Sequence, residues 1–267
     1  MPYARLGPID LWYERAGSGA PLVFISGTGG DLRVRPGVLD GPYPKAFEVL
    51  AYDQRGLGQS AKPAGPYAMA DYADDAAALM DHLGWSRARV LGVSFGGMVA
   101  QELALRHPDR VERLVLACTS PGGAGGASFP FHEIGHLDRE ARARRLIPIS
   151  DTRRDSDWVQ ANPDLYRQLV EMGAADPFAD EPGHAEGARL QLEARAGHDT
   201  WDRLDQIACP VLIAGGRYDG VALPATQEKM AARIPGARLQ MFEGGHLFMI
   251  QDRAANPAIL AFLAEGG

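Results

Sequence analysis

The sequence predicts an α/β fold with a mostly parallel central sheet, flanking helices and a helical cap inserted in the second half of the chain. Three observations carry this. Short, almost continuous apolar runs at residues 21–25, 47–52, 88–93 and 111–117 alternate with helical material, as parallel strands buried on both faces do. That rhythm stops between Ser120 and Gln206, where segments of helical pattern follow one another without comparable β runs. It resumes with apolar runs at 211–215 and 237–242.

Each element has a local cause. Residues 11–14 read as an early strand, and Ser18-Gly19 turns the chain into the next one. The alanine-rich stretch 72–83 favours a helix that Gly84 ends. Residues 98–107 read as a helix stopping near Pro108, and 257–263 as a closing helix. Within the insert, helical patterns cover 139–146, 163–172 and 184–196. The reading is therefore a core of residues 1–120 and 207–267 and a cap of residues 121–206, too small for an independent domain.

With 46% hydrophobic residues in 267, a substantial core is available. A formal net charge of -7 argues against nucleic acid or an anionic membrane surface as partner and favours a small molecule. The segment 121–206 holds 10 Arg, no Lys and 16 Asp or Glu, so -6 of that charge lies there. This makes its outer face soluble and would disfavour dianionic substrates. Cys118 and Cys209 sit in apolar runs without metal or redox spacing and read as small core residues. No secretory start and no long apolar span is present, so a soluble cytoplasmic protein is expected. Nothing in the sequence specifies an oligomeric state.

The chemistry centres on Gly92-Val93-Ser94-Phe95-Gly96, between an apolar strand and a helix. A sharp strand-to-helix turn exposes a serine hydroxyl there, with small neighbours permitting close backbone packing. Ser94 could instead simply cap the helix, but a cap leaves the later acid and histidine unexplained. The backbone N–H following the nucleophile is that of Phe95, suited to hold an oxyanion.

The chain here resembles the α/β-hydrolase superfamily, especially its small cap-bearing esterases and lactonases. The resemblance runs nearly end to end. Ser26-Gly27-Thr28-Gly29-Gly30 is similar to the family's oxyanion loop, Asp53-Gln54-Arg55-Gly56-Leu57-Gly58-Gln59-Ser60 to its Asp-x-Arg-Gly-x-Gly-x-Ser loop, and Gly92 to Gly97 to its nucleophile elbow. It implies an α/β-hydrolase fold, Asp219 as the acid, His246 as the base and Thr28 as the second backbone donor to the oxyanion. The family's loop commonly begins His-Gly, whereas Ser26-Gly27 stands here, so that local scaffolding must differ.

A neutral imidazole can remove the serine proton during attack on a carbonyl, and a carboxylate can orient that imidazole. The expected activity is hydrolysis of a small carboxylic ester or lactone through an acyl-enzyme, with no organic cofactor and no metal. C–C bond or amide hydrolysis on the same scaffold is the alternative, and a non-catalytic ligand receptor or interaction scaffold is the reading outside enzymology.

Other residues compete for these roles. His82 and His107 lie late in helices and suit capping or exposure, while His184 and His198 in the cap could touch substrate. Asp53 suits local backbone donors or Arg55, and Asp199, Asp202 and Asp205 suit a solvated surface. The glycine-rich loop lacks the spacing of phosphate and dinucleotide motifs. His132-Glu133-Ile134-Gly135-His136 matches a zinc motif that needs a helix and a further ligand, and Gly135 with Pro130 weakens that helix. Phe129, Phe131, Trp158, Phe178 and Trp201 are candidates for substrate contact or for the cap's own core.

Overall fold

The computed structural model describes residues 3–7 and 9–266. Its strands are β1 (Tyr3–Arg5), β2 (Asp10–Ala16), β3 (Pro21–Ile25), β4 (Glu48–Tyr52), β5 (Ala88–Val93), β6 (Val111–Ala117), β7 (Val211–Gly216) and β8 (Arg238–Phe242). They form one sheet in the order β1-β2-β4-β3-β5-β6-β7-β8. Every pair from β4 to β8 is parallel, and β2 runs antiparallel to both of its neighbours. The helices are α1 (Met69–His82), α2 (Phe95–Arg106), α3 (Arg139–Ser150), α4 (Ser156–Ala161), α5 (Pro163–Ala174), α6 (His184–Ala196), α7 (Pro224–Arg233), α8 (Phe248–Gln251) and α9 (Ala255–Ala264).

The two-residue period of a strand sorts the core into two layers. Along β6, Leu114 and Leu116 join a cluster with Tyr72, Leu79, Phe95, Val99 and Met230 from α1, α2 and α7. Val115 and Ala117 point the other way, toward Ile259, Phe262 and Leu263 of α9. Both faces of the central strands are thus dry, which is why they read as apolar runs rather than as alternation. Each fully buried Val, Leu or Ile there contributes about 1.5–3 kcal/mol.

Between β6 and β7 lie α3 to α6 and, among the described residues, no strand beyond isolated bridges. Ala143, Ile147 and Val170 of α3 and α5 form a small cluster of their own. Leu190 and Ala194 of α6 instead join the main core.

Element boundaries depart from expectation in instructive ways. α2 begins at Phe95 rather than Met98, because the helix starts as soon as the chain turns off β5. α3 runs on through Pro148 to Ser150, although proline removes a helical donor. β1, α4, α7 and α8 carried no recognised signal. Both cysteines are free thiols; burial pushes Cys209 up to about 11 and Cys118 well above its ordinary range. No helix among the described residues is long and apolar enough to cross a membrane.

Candidate active site

Ser94, Asp219 and His246 all sit on turns just beyond the C-terminal ends of parallel strands. Ser94 follows β5 directly, in a strained backbone conformation with φ 55° and ψ -115°. Its N–H donates to Ala117 O at 2.8 Å, and Thr119 Oγ1 donates to its carbonyl at 2.8 Å. A side chain at position 96 would collide with the carbonyls of Ile25 and Ser26, so glycine lets α2 press against the end of β3. The elbow is held in a conformation that a non-glycine residue seldom adopts.

Asp219 is 1% exposed. Its Oδ1 accepts the N–H groups of Val221 at 2.8 Å and Ala222 at 2.9 Å, which leaves Oδ2 facing His246 Nδ1 at 2.9 Å. A carboxylate only accepts, so Nδ1 carries the proton and Nε2 offers a lone pair. Ser94 Oγ lies 3.0 Å from Nε2 and donates to it. The expected three residues are therefore brought into one continuous hydrogen-bonded row.

The histidine turn leans on the insert. His246 N–H donates to Ser150 O at 2.6 Å, Gly220 N–H to Ile149 O at 2.9 Å and Thr152 N–H to Tyr218 O at 2.9 Å. Gln251 Nε2 donates to Asp151 Oδ2 at 3.1 Å. Any side chain at position 245 would strike Ser150 O and Asp151. The end of α3 thus braces both the acid and the histidine turns, a role that sequence pattern did not reveal.

The Ser26 to Gly30 loop lies beside the elbow: a Cβ at Gly27 would approach Ser94 Cβ at 3.5 Å. Phe95 N–H opens the first turn of α2, where helical N–H groups lack intrahelical carbonyls. Among the described residues, neither it nor Thr28 N–H has an acceptor. In place of the family's histidine, Ser26 is held by buried Gln54, whose Nε2 donates to Ser26 O at 2.9 Å and Oγ at 3.2 Å. Asp53 accepts Leu32 N–H at 2.7 Å and Gln59 N–H at 2.8 Å, the local bracing expected of it; burial still pushes its carboxyl up to about 6. Arg55 pairs with Asp75 through two 2.7 Å hydrogen bonds rather than with Asp53.

The rival residues lie elsewhere. His107 Nε2 meets Asp74 at 2.7 Å, His82 stands edge-on to Tyr13, and His184 meets Asp176 at 3.0 Å. Asp202 faces Arg233, and Asp199 accepts Trp201 N–H. His132 belongs to a 3-10 helix ending at Ile134, so His132 and His136 do not share an α-helical face. Of the five cap aromatics, Trp158 lies beside Arg154, Phe178 lies beneath Arg33, and Trp201 packs on the main core beneath Arg233. Phe129 and Phe131 meet edge-to-face at 5.3 Å beside a cavity of about 70 Å³.

A family model described as the alpha/beta hydrolase fold matches residues 20–252. The chain is 30% identical to the poly(3-hydroxyalkanoate) depolymerase of Ectopseudomonas oleovorans, over 92% of this chain and 84% of that protein. It is 32% identical to a Caulobacter sp. protein named for carbamate hydrolysis, over 97% of each. Among solved structures, the enol-lactonase from Burkholderia xenovorans matches with a TM-score of 0.79 at 29% identity, covering 99% of this chain and 100% of that one.

Proposed function

The chain belongs to the alpha/beta hydrolase family, and from that membership we propose that it is a serine hydrolase of small carboxylic esters or lactones. Ser94 is the nucleophile, His246 the general base and then acid, and Asp219 the group that orients and stabilises the imidazole. Residues 121–206 act as the cap over a core of 1–120 and 207–267. The observation that carries the reading is the unbroken row from Asp219 through His246 to Ser94.

Ser94 Oγ attacks the carbonyl carbon while its proton passes to His246 Nε2. The carbonyl oxygen becomes an oxyanion, held by the N–H groups of Thr28 and Phe95. The tetrahedral adduct collapses, the C–O bond breaks, and the alcohol oxygen leaves with the proton from Nε2. In a lactone this alcohol stays tethered to the acyl group. Water then attacks the acyl-enzyme as His246 takes its proton, and Ser94 is released with a carboxylate product. None of these steps calls on a metal or an organic cofactor.

The test is acylation. Intact mass after brief reaction with an activated ester should rise by one acyl group in the parent and stay unchanged in Ser94→Ala, while circular dichroism remains the same. Unaltered acylation and turnover in the folded variant would remove Ser94 from the mechanism.

A further inference from the structure

One face of α6 meets the Ser26 to Gly30 loop through side chains four apart, Gln191 and Arg195, and His198 follows three residues later, just past the helix. Gln191 Oε1 accepts Gly29 N–H at 2.9 Å. Arg195 donates from Nη1 to Thr28 Oγ1 at 2.9 Å and from Nη2 to Ser128 Oγ at 2.8 Å. All three are buried, with Arg195 only 6% and His198 only 5% exposed.

Their polar atoms are incompletely met. Among the described residues, Arg195 Nε, Gln191 Nε2, Ser120 Oγ and both ring nitrogens of His198 have no hydrogen-bond partner. The Arg195 guanidinium bonds two hydroxyls and no carboxylate. The Phe131 ring lies 4.6 Å away and offsets part of the cost of its burial. Burial lowers Arg195 to about 10, which leaves it charged at neutral pH. A buried, unpaired cation is costly to a fold, and it becomes favourable once an anion sits against it.

Of these residues, Arg195, His198 and Ser120 meet at the cavity of about 70 Å³, together with Met98, Ser128 and Phe131. Backbone contacts tie the cavity wall to the turn that carries Ser94: Met98 N–H donates to Ser94 O, and Ser120 follows the threonine whose hydroxyl donates to that same carbonyl. Most of the unmet groups are donors. A carboxylate is purely an acceptor, with two oxygens to share among them.

We propose that Arg195 and its polar neighbours bind a carboxylate, so that the preferred substrate carries a free carboxylate in addition to the bond that Ser94 attacks. The substrate part of this inference rests on the ester or lactone reading above. The carboxylate site itself stands apart from it.

The test compares 4-nitrophenyl hydrogen glutarate, which has a free carboxylate, with 4-nitrophenyl methyl glutarate, which is neutral and has the same leaving group. In the parent, kcat/KM for the charged ester should exceed that for the neutral one by about tenfold or more. Taking this ratio within each variant cancels any general loss of activity. Arg195→Met, which keeps the unbranched bulk, should bring the ratio close to one, and Arg195→Lys should give an intermediate value. A parent ratio near one, or the same ratio in parent and Arg195→Met, overturns the proposal while leaving the esterase reading intact. Calorimetric titration of glutarate covers the case in which neither ester turns over. Binding to Ser94→Ala that weakens about tenfold in Ser94→Ala/Arg195→Met supports the site. No binding to Ser94→Ala, or equal binding to both proteins, overturns it.

Discussion

His198 is an imidazole for which protonation is expensive. Burial pushes it down to about 3, whereas an unfolded histidine titrates near about 6.5. Below that value the unfolded chain takes up a proton that the folded chain refuses. The contribution to stability is therefore intact above pH 6.5 and drains away as pH falls toward 3. At about pH 5 the loss relative to about pH 7.5 is roughly 2 kcal/mol. Urea unfolding of His198→Gln and parent at these two values should show the stability difference moving by that amount in the variant's favour at the lower pH. A pH-independent difference would mean that folded His198 titrates normally. Sequence marked His198 only as a possible substrate contact, because burial and missing partners have no local signature. Ser94, by contrast, was legible, since its turn needs glycines that the sequence displays on either side. Gln54 and Arg195 were not singled out: each acts on a loop distant in sequence, with Arg195 reaching Thr28 across 167 positions.

At the scale of elements, the strands and their following turns were legible because burial on both faces of the central strands leaves short, almost continuous apolar runs. The extension of α3 past Pro148 was not, since its last turn is held by contacts to the acid and histidine turns rather than by propensity. The aromatic side chains of the insert show the same limit. Trp158, Phe178 and Trp201 do not line the cavity, whereas Phe129 and Phe131 do. That small space predicts a preference for compact acyl groups or lactone rings. In a series of neutral esters with one leaving group, kcat/KM should fall as the acyl chain outgrows the cavity, with each methylene-sized misfit worth about 1–3 kcal/mol. Steady improvement through long chains, with weak turnover of every compact ester, would instead indicate an open groove.

Across the whole molecule, the insert is anchored unevenly. α6 shares the main core through Leu190 and Ala194, whereas α3 and α5 share a cluster of three buried residues. Few buried apolar contacts mean a lower cost of local opening. Native-state hydrogen exchange should therefore find α3 and α5 opening at lower free energy than β5, β7 or α6, and Val170→Ala should widen that gap without altering protection in the sheet. Equal protection throughout would show that the insert and core unfold as one unit. The brace at Ser150 gives this unevenness a chemical meaning. Because the last turn of α3 carries the carbonyl that holds His246, the insert is no free door on a hinge. If His246 is the base proposed above, an occupant bulky enough to pry α3 away would pull the imidazole out of line with Ser94 and stop the reaction. Under the proposed serine-hydrolase reading, oversized guests would be rejected through the catalyst as well as by steric refusal, because hydrogen bonds tie the end of α3 to the acid and histidine turns.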